Sequence, residues 1–373
     1  MEKRVLIVGM SKEPGGIETF LYRTIKAFKR APLRFEILTP CKRCAYEAEL
    51  KEMGVRVFHV TGRGKNPVKS YLDKRRFFLR RGHLYDTVWL QLSSASDISA
   101  ARLAKKYTRA RIVCHSHSVS FESKAGLVHT AHLIMHKKNR ARLAALCDAC
   151  VAVTKEAGEW LYGDNGHLIV LPAGVDTEAF RFDEGVRRAM RQSLGVNDLT
   201  VVGHVGRLVP VKNQKFLLDV FAAFHEKHPD SALLIAGAGE LLSELRAYAA
   251  QKGLKNCVRF LGFRSDIPAL LQAFDVLLLP SLFEGFPVAL AEAQSMALPC
   301  VASDAVSGEV AATRFLRFFP LEQTPGAWAE EMEAALRIRR DATGVNAALE
   351  RAGLTEAAVQ SRLFPILYGE DGR

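Results

Sequence analysis

Two glutamates eight positions apart, Glu284 and Glu292, lie among apolar residues in the stretch LPSLFEGFPVALAEAQSMALPCVASD. Carboxylates are seldom left in apolar company unless something pairs with them. The segment reads as a strand, a loop and a helix starting near Phe286 or Pro287, with Glu284 in the loop and Glu292 inside the helix. Eight residues are slightly more than two turns at 3.6 residues per turn, so both acids can face one ligand. Pro287 suits a first helical turn, and free amides around Phe286 and Val288 would point at that ligand. Two carboxylates that accept hydrogen bonds from hydroxyls suit a sugar and a ribose. A capping acid beside an acid packed within a helix is the plainer reading. A glycosidase pair fits less well, because such carboxylates flank a bond, whereas these lie beside a loop suited to phosphate.

That loop is GHVGRLVPVKNQ, in which Arg207 and Lys212 follow a strand. Arg offers a planar fork and Lys a point charge, a combination suited to a diphosphate, although a solvated pair would look the same. An earlier turn, GMSKEPGGIE, places Gly15 and Gly16 before a helix, where backbone amides can approach an anion or simply turn the chain. It is not a dinucleotide fingerprint, since G-x-G-x-x-G is absent and no acid ends the second strand. The glycine-bearing turns IAGAGE and FLGFRSD fit a flat base and ribose held between backbone segments. Two CxxC pairs, Cys41 with Cys44 and Cys147 with Cys150, have zinc-type spacing. They lie about a hundred residues apart, and buried thiols explain them better.

These residues need elements to position them. RVLIVGM is a continuous apolar run of the kind buried on both faces of a parallel sheet. FEILTP, VRVFHVT, DTVWLQLS, ARIVCHSH and ACVAVT recur with helical patterns between some of them, and HLIVLPAGVDTEAF leads out. The alternation restarts with LTVVGHVGRL, SALLIAGAG, VRFLGF, FDVLLLPS and LPCVASD, followed by a helical tail after about residue 325. The class is α/β, with two doubly wound halves, as 373 residues also suggest. Residues 1–180 hold 31 Lys and Arg against 17 Asp and Glu (31 − 17 = +14), and residues 181–373 hold 21 against 23 (21 − 23 = −2). Two such different halves should meet different partners. The apolar run at the N-terminus ends by Met10 without a cleavage site, so it is expected to be a first strand of a cytoplasmic protein.

The sequence resembles retaining glycosyltransferases of the GT-B fold, in particular the large family four of nucleotide-sugar-dependent enzymes. FEGFPVALAEAQSMALPCVASD looks like that family's E-x7-E signature, and GGIETFL, LPAGVDTEAF, VGRLVPVKN, LIAGAGEL and FLGFRSDI follow in the family's order. VCHSHSVS is similar to the capsular and exopolysaccharide branch. The resemblance implies two Rossmann-like domains facing each other across a cleft. Residues 1–178 would bind the acceptor, completed by the C-terminal helix 355–373, and residues 179–354 would bind the donor. It further implies Glu284 on the sugar hydroxyls, Glu292 on the ribose, Arg207 and Lys212 on the diphosphate, and Gly16 against phosphate or sugar. His117 is favoured over His115 as the histidine near the reacting sugar. Phe263, Arg264, Gly285, Phe286, Pro287 and Val288 join the donor set, with Gly15 and Asn213 at its margin. Ala173 stands where the family usually has Asn, and Pro365 should kink or shorten the terminal helix.

The implied activity moves a sugar from a nucleotide diphosphate donor, expected to be UDP-linked, to a hydroxyl of a glycan or a polyprenyl-diphosphate-linked acceptor, with retention and no metal or other cofactor. An epimerase relative or a non-catalytic nucleotide-sugar binder would share these motifs. KNPVKSYLDKRRFFLRR and LVHTAHLIMHKKNRARL mix basic and aromatic or apolar residues, which suits a peripheral contact with an anionic inner leaflet or a solvated face. No nucleic-acid motif is present.

Overall fold

The computed structural model describes residues 1–119, 127–164 and 166–370. Ser120 of VCHSHSVS and residues 371–373 of the expected terminal segment lie outside it. The chain divides into two compact units, residues 1–173 with 357–373, and residues 174–356. The first crossing falls a few residues before the expected boundary because Val175 already pairs with Thr355, and Phe180 packs into the second unit's core.

The first unit runs β1 (Lys3–Val8), α1 (Gly16–Ala27), β2 (Leu33–Thr39), α2 (Glu47–Glu52) and β3 (Arg56–His59). It continues with α3 (Pro67–Arg81), β4 (Thr87–Leu92), α4 (Ser99–Tyr107) and β5 (Arg111–Ser116). After α5 (Leu127–Leu146), β6 (Ala149–Ala152), α6 (Lys155–Tyr162) and β7 (Leu168–Val170) complete the sheet. All seven strands are parallel, in the order β3-β2-β1-β4-β5-β6-β7. The order reverses between β1 and β4, which opens a crevice at their carboxyl ends; in such sheets ligands bind there.

The second unit contains α7 (Glu184–Leu194), β8 (Thr200–Val205), α8 (Gln214–Lys227), β9 (Ser231–Ala236), α9 (Leu242–Gln251) and β10 (Val258–Gly262). Then come α10 (Ile267–Ala273), β11 (Val276–Leu279), α11 (Val288–Ser295), β12 (Cys300–Ser303), β13 (Leu316–Phe319), α12 (Pro325–Leu336) and α13 (Val345–Arg351). Its six-stranded sheet has the order β10-β9-β8-β11-β12-β13, with the reversal between β8 and β11. The edge strand β13 is absent from the sequence reading: it is four residues long and only its first residue is buried. Every residue of β9, β11 and β12 is buried, as expected for strands covered by helices on both faces.

The last helix, α14 (Glu356–Tyr368), closes the first unit. Val359, Leu363, Ile366 and Leu367 join the core built on β1 and β2, and Thr87 Oγ1 donates to the Leu367 carbonyl at 2.8 Å. Pro365 does not shorten it; the helix runs unbroken to Tyr368. The hydrogen bond that proline removes would have ended on the carbonyl of Ser361, an exposed residue that water can satisfy. Leu363 is fully buried, so Leu363→Ala is expected to cost the first unit about 2–5 kcal/mol. Urea unfolding followed by fluorescence measures this, and a loss within about 0.5 kcal/mol, the range of surface changes, would show that α14 is not part of that core.

Candidate functional site

In the second unit the polar residues gather at the β8/β11 reversal. After β8 the chain makes a 3-10 turn at Pro210–Lys212, and Asn213, in the left-handed region at φ 54°, leads into α8. After β11, Leu282 N–H donates to the Val211 carbonyl at 2.8 Å and ties the two strand-end loops together. This bond brings the Lys212 ammonium onto Glu284 Oε1, which also accepts from Ser281 Oγ at 2.7 Å. The two side chains keep only 17% and 11% of their surface, so water screens the pair weakly.

Beneath the pair lies His204, fully buried. Its Nδ1 lies 3.0 Å from the Leu278 carbonyl and its Nε2 3.4 Å from Gln214 Nε2, while Gln214 Nε2 donates to the Arg207 carbonyl at 2.7 Å. This pattern requires the proton on Nδ1, with Nε2 as acceptor. Burial first, and then the nearby Lys212, push His204 down to about 4. Arg207 itself is exposed at the rim. The IAGAGE turn packs onto its loop: Gly206 N–H donates to Ala236, Leu208 N–H donates to Ala238, and Gly237 N–H donates to Gly262. Gly237 has φ +148°, and a Cβ there would lie 1.9 Å from the Gly206 carbonyl oxygen, so no side chain fits. The glycines therefore seat the cationic loop by close backbone contact.

Glu292 is buried in α11 at 8% exposure, two turns beyond the loop that carries Glu284. The helix begins later than expected. Pro287, at φ −81° and ψ 81°, makes an inverse γ-turn in which Val288 N–H donates to the Phe286 carbonyl at 3.0 Å. The Val288 amide is thus engaged within the chain and is not the free donor that the sequence suggested. Gly285 and Phe286 lie in the same loop. Phe263 is 65% exposed, and Arg264 grips Asp266 through two nitrogens, Nε to Oδ1 at 2.7 Å and Nη2 to Oδ2 at 2.5 Å.

In the first unit the β1/β4 reversal is equally populated. Gly15 caps α1 and Gly16 begins it; a Cβ on Gly16 would meet nothing within 4 Å, which leaves open space at the turn. Glu18, 6% exposed, accepts from Ser11 N–H at 3.0 Å and holds the loop. Gly9, at φ +116°, lets β1 approach β4 where a Cβ would lie 2.6 Å from the Gln91 carbonyl oxygen. His117 follows β5 and meets Gln91 Oε1 through Nε2 at 2.7 Å. His115 is fully buried, with ring centroids 4.1 Å from His117 and 5.5 Å from Phe20 of α1. Of the two, only His117 keeps surface in solvent. Burial pushes His117 down to about 3 and His115 well below its usual range. Gln91, His204, Gln214 and Ser281 escaped the sequence reading; the one available signal was a polar residue interrupting an apolar strand, as in TVVGHV and TVWLQL.

Among the described residues no group of three or more His, Cys, Asp or Glu side chains is placed to hold an ion. Cys44 and Cys150 are buried, and burial pushes the Cys44 thiol up to about 11.

Residues 14–179 match the model of Glycosyltransferase Family 4, and residues 186–342 match that of Glycosyl transferases group 1. EpsF of Bacillus subtilis (strain 168), named as a glycosyltransferase, is 31% identical over 349 residues, which is 91% of this chain and 89% of EpsF. The chain belongs to the family 4, group 1 glycosyltransferases. A second relative, the UDP-Gal:alpha-D-GlcNAc-diphosphoundecaprenol alpha-1,3-galactosyltransferase of Escherichia coli, is 32% identical over 73% of this chain and 72% of its own. Among solved structures, Anabaena Alr3699/HepE in complex with UDP superposes with a TM-score of 0.80 at 22% identity, covering 98% of this chain and all of that one. The lipopolysaccharide-biosynthesis glycosyltransferase WaaG does so at 0.74 and 16%. Both are likenesses of fold, and the fold is that of the GT-B glycosyltransferases.

A glycosyltransferase with this site should keep buried His204 and half-buried His117 neutral. In 15N-histidine spectra assigned through His117→Gln and His204→Gln, both rings are expected to stay predominantly neutral from pH 8 to pH 5, since their pKa values lie near 3 and 4. A titration midpoint between pH 5.5 and 7 (the usual histidine range, roughly 6.5) for either ring would contradict the burial described here.

Proposed function

We propose that the enzyme transfers a sugar from a UDP-sugar to a hydroxyl of a glycan carried on a lipid diphosphate, with retention of the anomeric configuration, in the assembly of a cell-surface polysaccharide. The observation that carries this reading is the contact of Lys212 with Glu284 at the ends of β8 and β11. A cation beside a hydroxyl acceptor matches a phosphate beside a sugar ring. Exposed Arg207, on a loop seated by Gly237, adds a second cation for the diphosphate. The Escherichia coli relative is named for a UDP-sugar donor and a diphosphoundecaprenol-linked acceptor, and the Anabaena structure holds UDP. Both support the uridine donor.

In the reaction the bond from the sugar's anomeric carbon to the β-phosphate oxygen breaks, and the bonding pair leaves with the diphosphate. Arg207 and Lys212 stabilise that growing negative charge. The acceptor oxygen bonds to the anomeric carbon from the face that the phosphate leaves, and its proton passes to the departing phosphate oxygen. Glu284, freed from Lys212 by the phosphate, accepts hydrogen bonds from the sugar hydroxyls. Glu292 accepts from the ribose. His117 is neutral, so in the first unit it offers a sugar hydroxyl a hydrogen bond rather than a charge. The first unit takes the acceptor and the second the donor. The basic surface of the first unit fits a peripheral position on the anionic inner face of a membrane, and no described helix is long and apolar enough to cross one.

If Glu284 holds the ring as it gains positive charge, Glu284→Gln should lower kcat more than donor affinity. Glu292→Gln, acting on a part that does not react, should mainly raise the donor KM. Steady-state kinetics of both variants separate the roles, and the reverse pattern, or unfolding of both proteins, would remove the acids from the mechanism.

Because the cations of this chain would neutralise the diphosphate, turnover is expected to survive excess EDTA. Loss of turnover that magnesium or manganese restores would show that a metal ion, not Arg207 and Lys212, carries that charge.

A further inference from the structure

A cavity of about 300 Å³ opens in the first unit among α3, α4, α5 and the loops that follow β3 and β4. That volume is at the lower end of small-molecule sites, roughly 300–1,000 Å³. Three cations line it, Arg63, Lys74 and Arg102, against one carboxylate, Asp97 (3 − 1 = +2). Lys74 donates to Asp97 at 3.1 Å and to Ser99 Oγ at 2.7 Å; Arg63 donates to the Ser96 carbonyl at 3.0 Å. Neither Arg63 nor Arg102 meets a carboxylate among the described residues. Both guanidinium groups are exposed on the lining of one cavity, so an anion seated in it can accept from them.

The loop between them is held in place from several sides. His136 Nδ1 accepts from Ala95 N–H at 2.9 Å, Asn139 Nδ2 donates to the Ala95 carbonyl at 3.0 Å, and Trp160 Nε1 donates to the Ser93 carbonyl at 2.9 Å. A loop pinned by α5 and α6 presents its polar atoms without an ordering cost on binding. It also continues β4, the strand whose Gln91 meets His117. The cavity therefore lies at the carboxyl edge of the sheet that carries the proposed acceptor side.

Its rim is apolar. Tyr71 of α3 and Met135 of α5 line the opening, and they are 46% and 41% exposed. On the same helices Val68, Leu72 and Ile134 are exposed at 68%, 49% and 60%. Tyr71 and Met135 at the mouth of a cationic cavity, with further exposed apolar side chains on the same two helices, suit a ligand with an anionic head and an apolar tail.

We infer that this cavity binds the diphosphate of an isoprenoid-type lipid diphosphate, with Arg63 and Arg102 on the phosphates and the lipid chain across Tyr71, Leu72 and Met135. The inference rests on the proposed acceptor class but not on the donor or the chemistry, and binding alone can test it.

The probe is farnesyl diphosphate, measured by calorimetry with UDP present at saturation so that the donor loop is occupied. The wild-type chain should bind it, and affinity should fall as salt rises. Arg63→Ala with Arg102→Ala, both at exposed positions, should weaken binding tenfold or more while leaving UDP affinity unchanged. Arg207→Ala should have no effect on farnesyl diphosphate. Farnesol and inorganic diphosphate should each bind at least tenfold more weakly than farnesyl diphosphate. Equal affinity in the double variant would overturn the site. Inorganic diphosphate binding as tightly as farnesyl diphosphate would overturn the lipid assignment. Wild-type protein that binds UDP but not farnesyl diphosphate would sink this inference and leave the donor reading intact. Turnover with a lipid-free glycan acceptor alone would sink the acceptor class while this binding could still be present.

Discussion

Strands such as β9, β11 and β12 are covered on both faces, and their backbone groups pair with neighbouring strands, so they have nowhere to show polar chemistry except at their ends. Right-handed crossovers then decide which ends remain accessible. The strand order reverses between β1 and β4, and likewise between β8 and β11, so their connections leave in opposite directions. Gly9, Gln91 and the turn into α1 stand at the first reversal; Lys212, Ser281 and Glu284 stand at the second. Both units follow one rule, and the charge pair of the second is a consequence of it.

The electrostatics of the two reversals differ. The second unit pairs a cation with an acid above a neutral His204, and the tautomer of that histidine is fixed through Leu278 and Gln214. Because Gln214 also holds the Arg207 carbonyl, the same network sets the position of the exposed arginine. The first unit instead places neutral His117 and His115 against Phe20. Three cations of the first unit, Arg63, Lys74 and Arg102, lie instead around the cavity among α3, α4 and α5.

Much of the architecture was legible because parallel strands buried on both faces are long apolar runs that turn residues interrupt. The fully buried β9, β11 and β12 announce themselves in this way, whereas the edge strand β13, with one buried residue in four, was not read from the sequence. The roles of Lys212 and Glu284 were legible as types and spacing, but their contact was not. It depends on the Leu282 to Val211 hydrogen bond between loops about seventy residues apart. The Val288 amide was misjudged for a similar reason: a proline before a helix can occupy the first turn or, as here, fold into an inverse γ-turn that uses the next amide.

By itself the sequence determined the class of fold, the restart of the pattern near residue 180, and the residue types available for binding phosphate and hydroxyl groups, since these follow from local periodicity and from side-chain chemistry. Only the tertiary structure decided that Gln91 serves His117, that Gln214 serves His204 and Arg207, and that Gly237 must lack a side chain. Each of these is a contact between residues distant in the chain. Its strength depends on distance and burial, which sequence spacing does not encode, and packing of whole elements sets both.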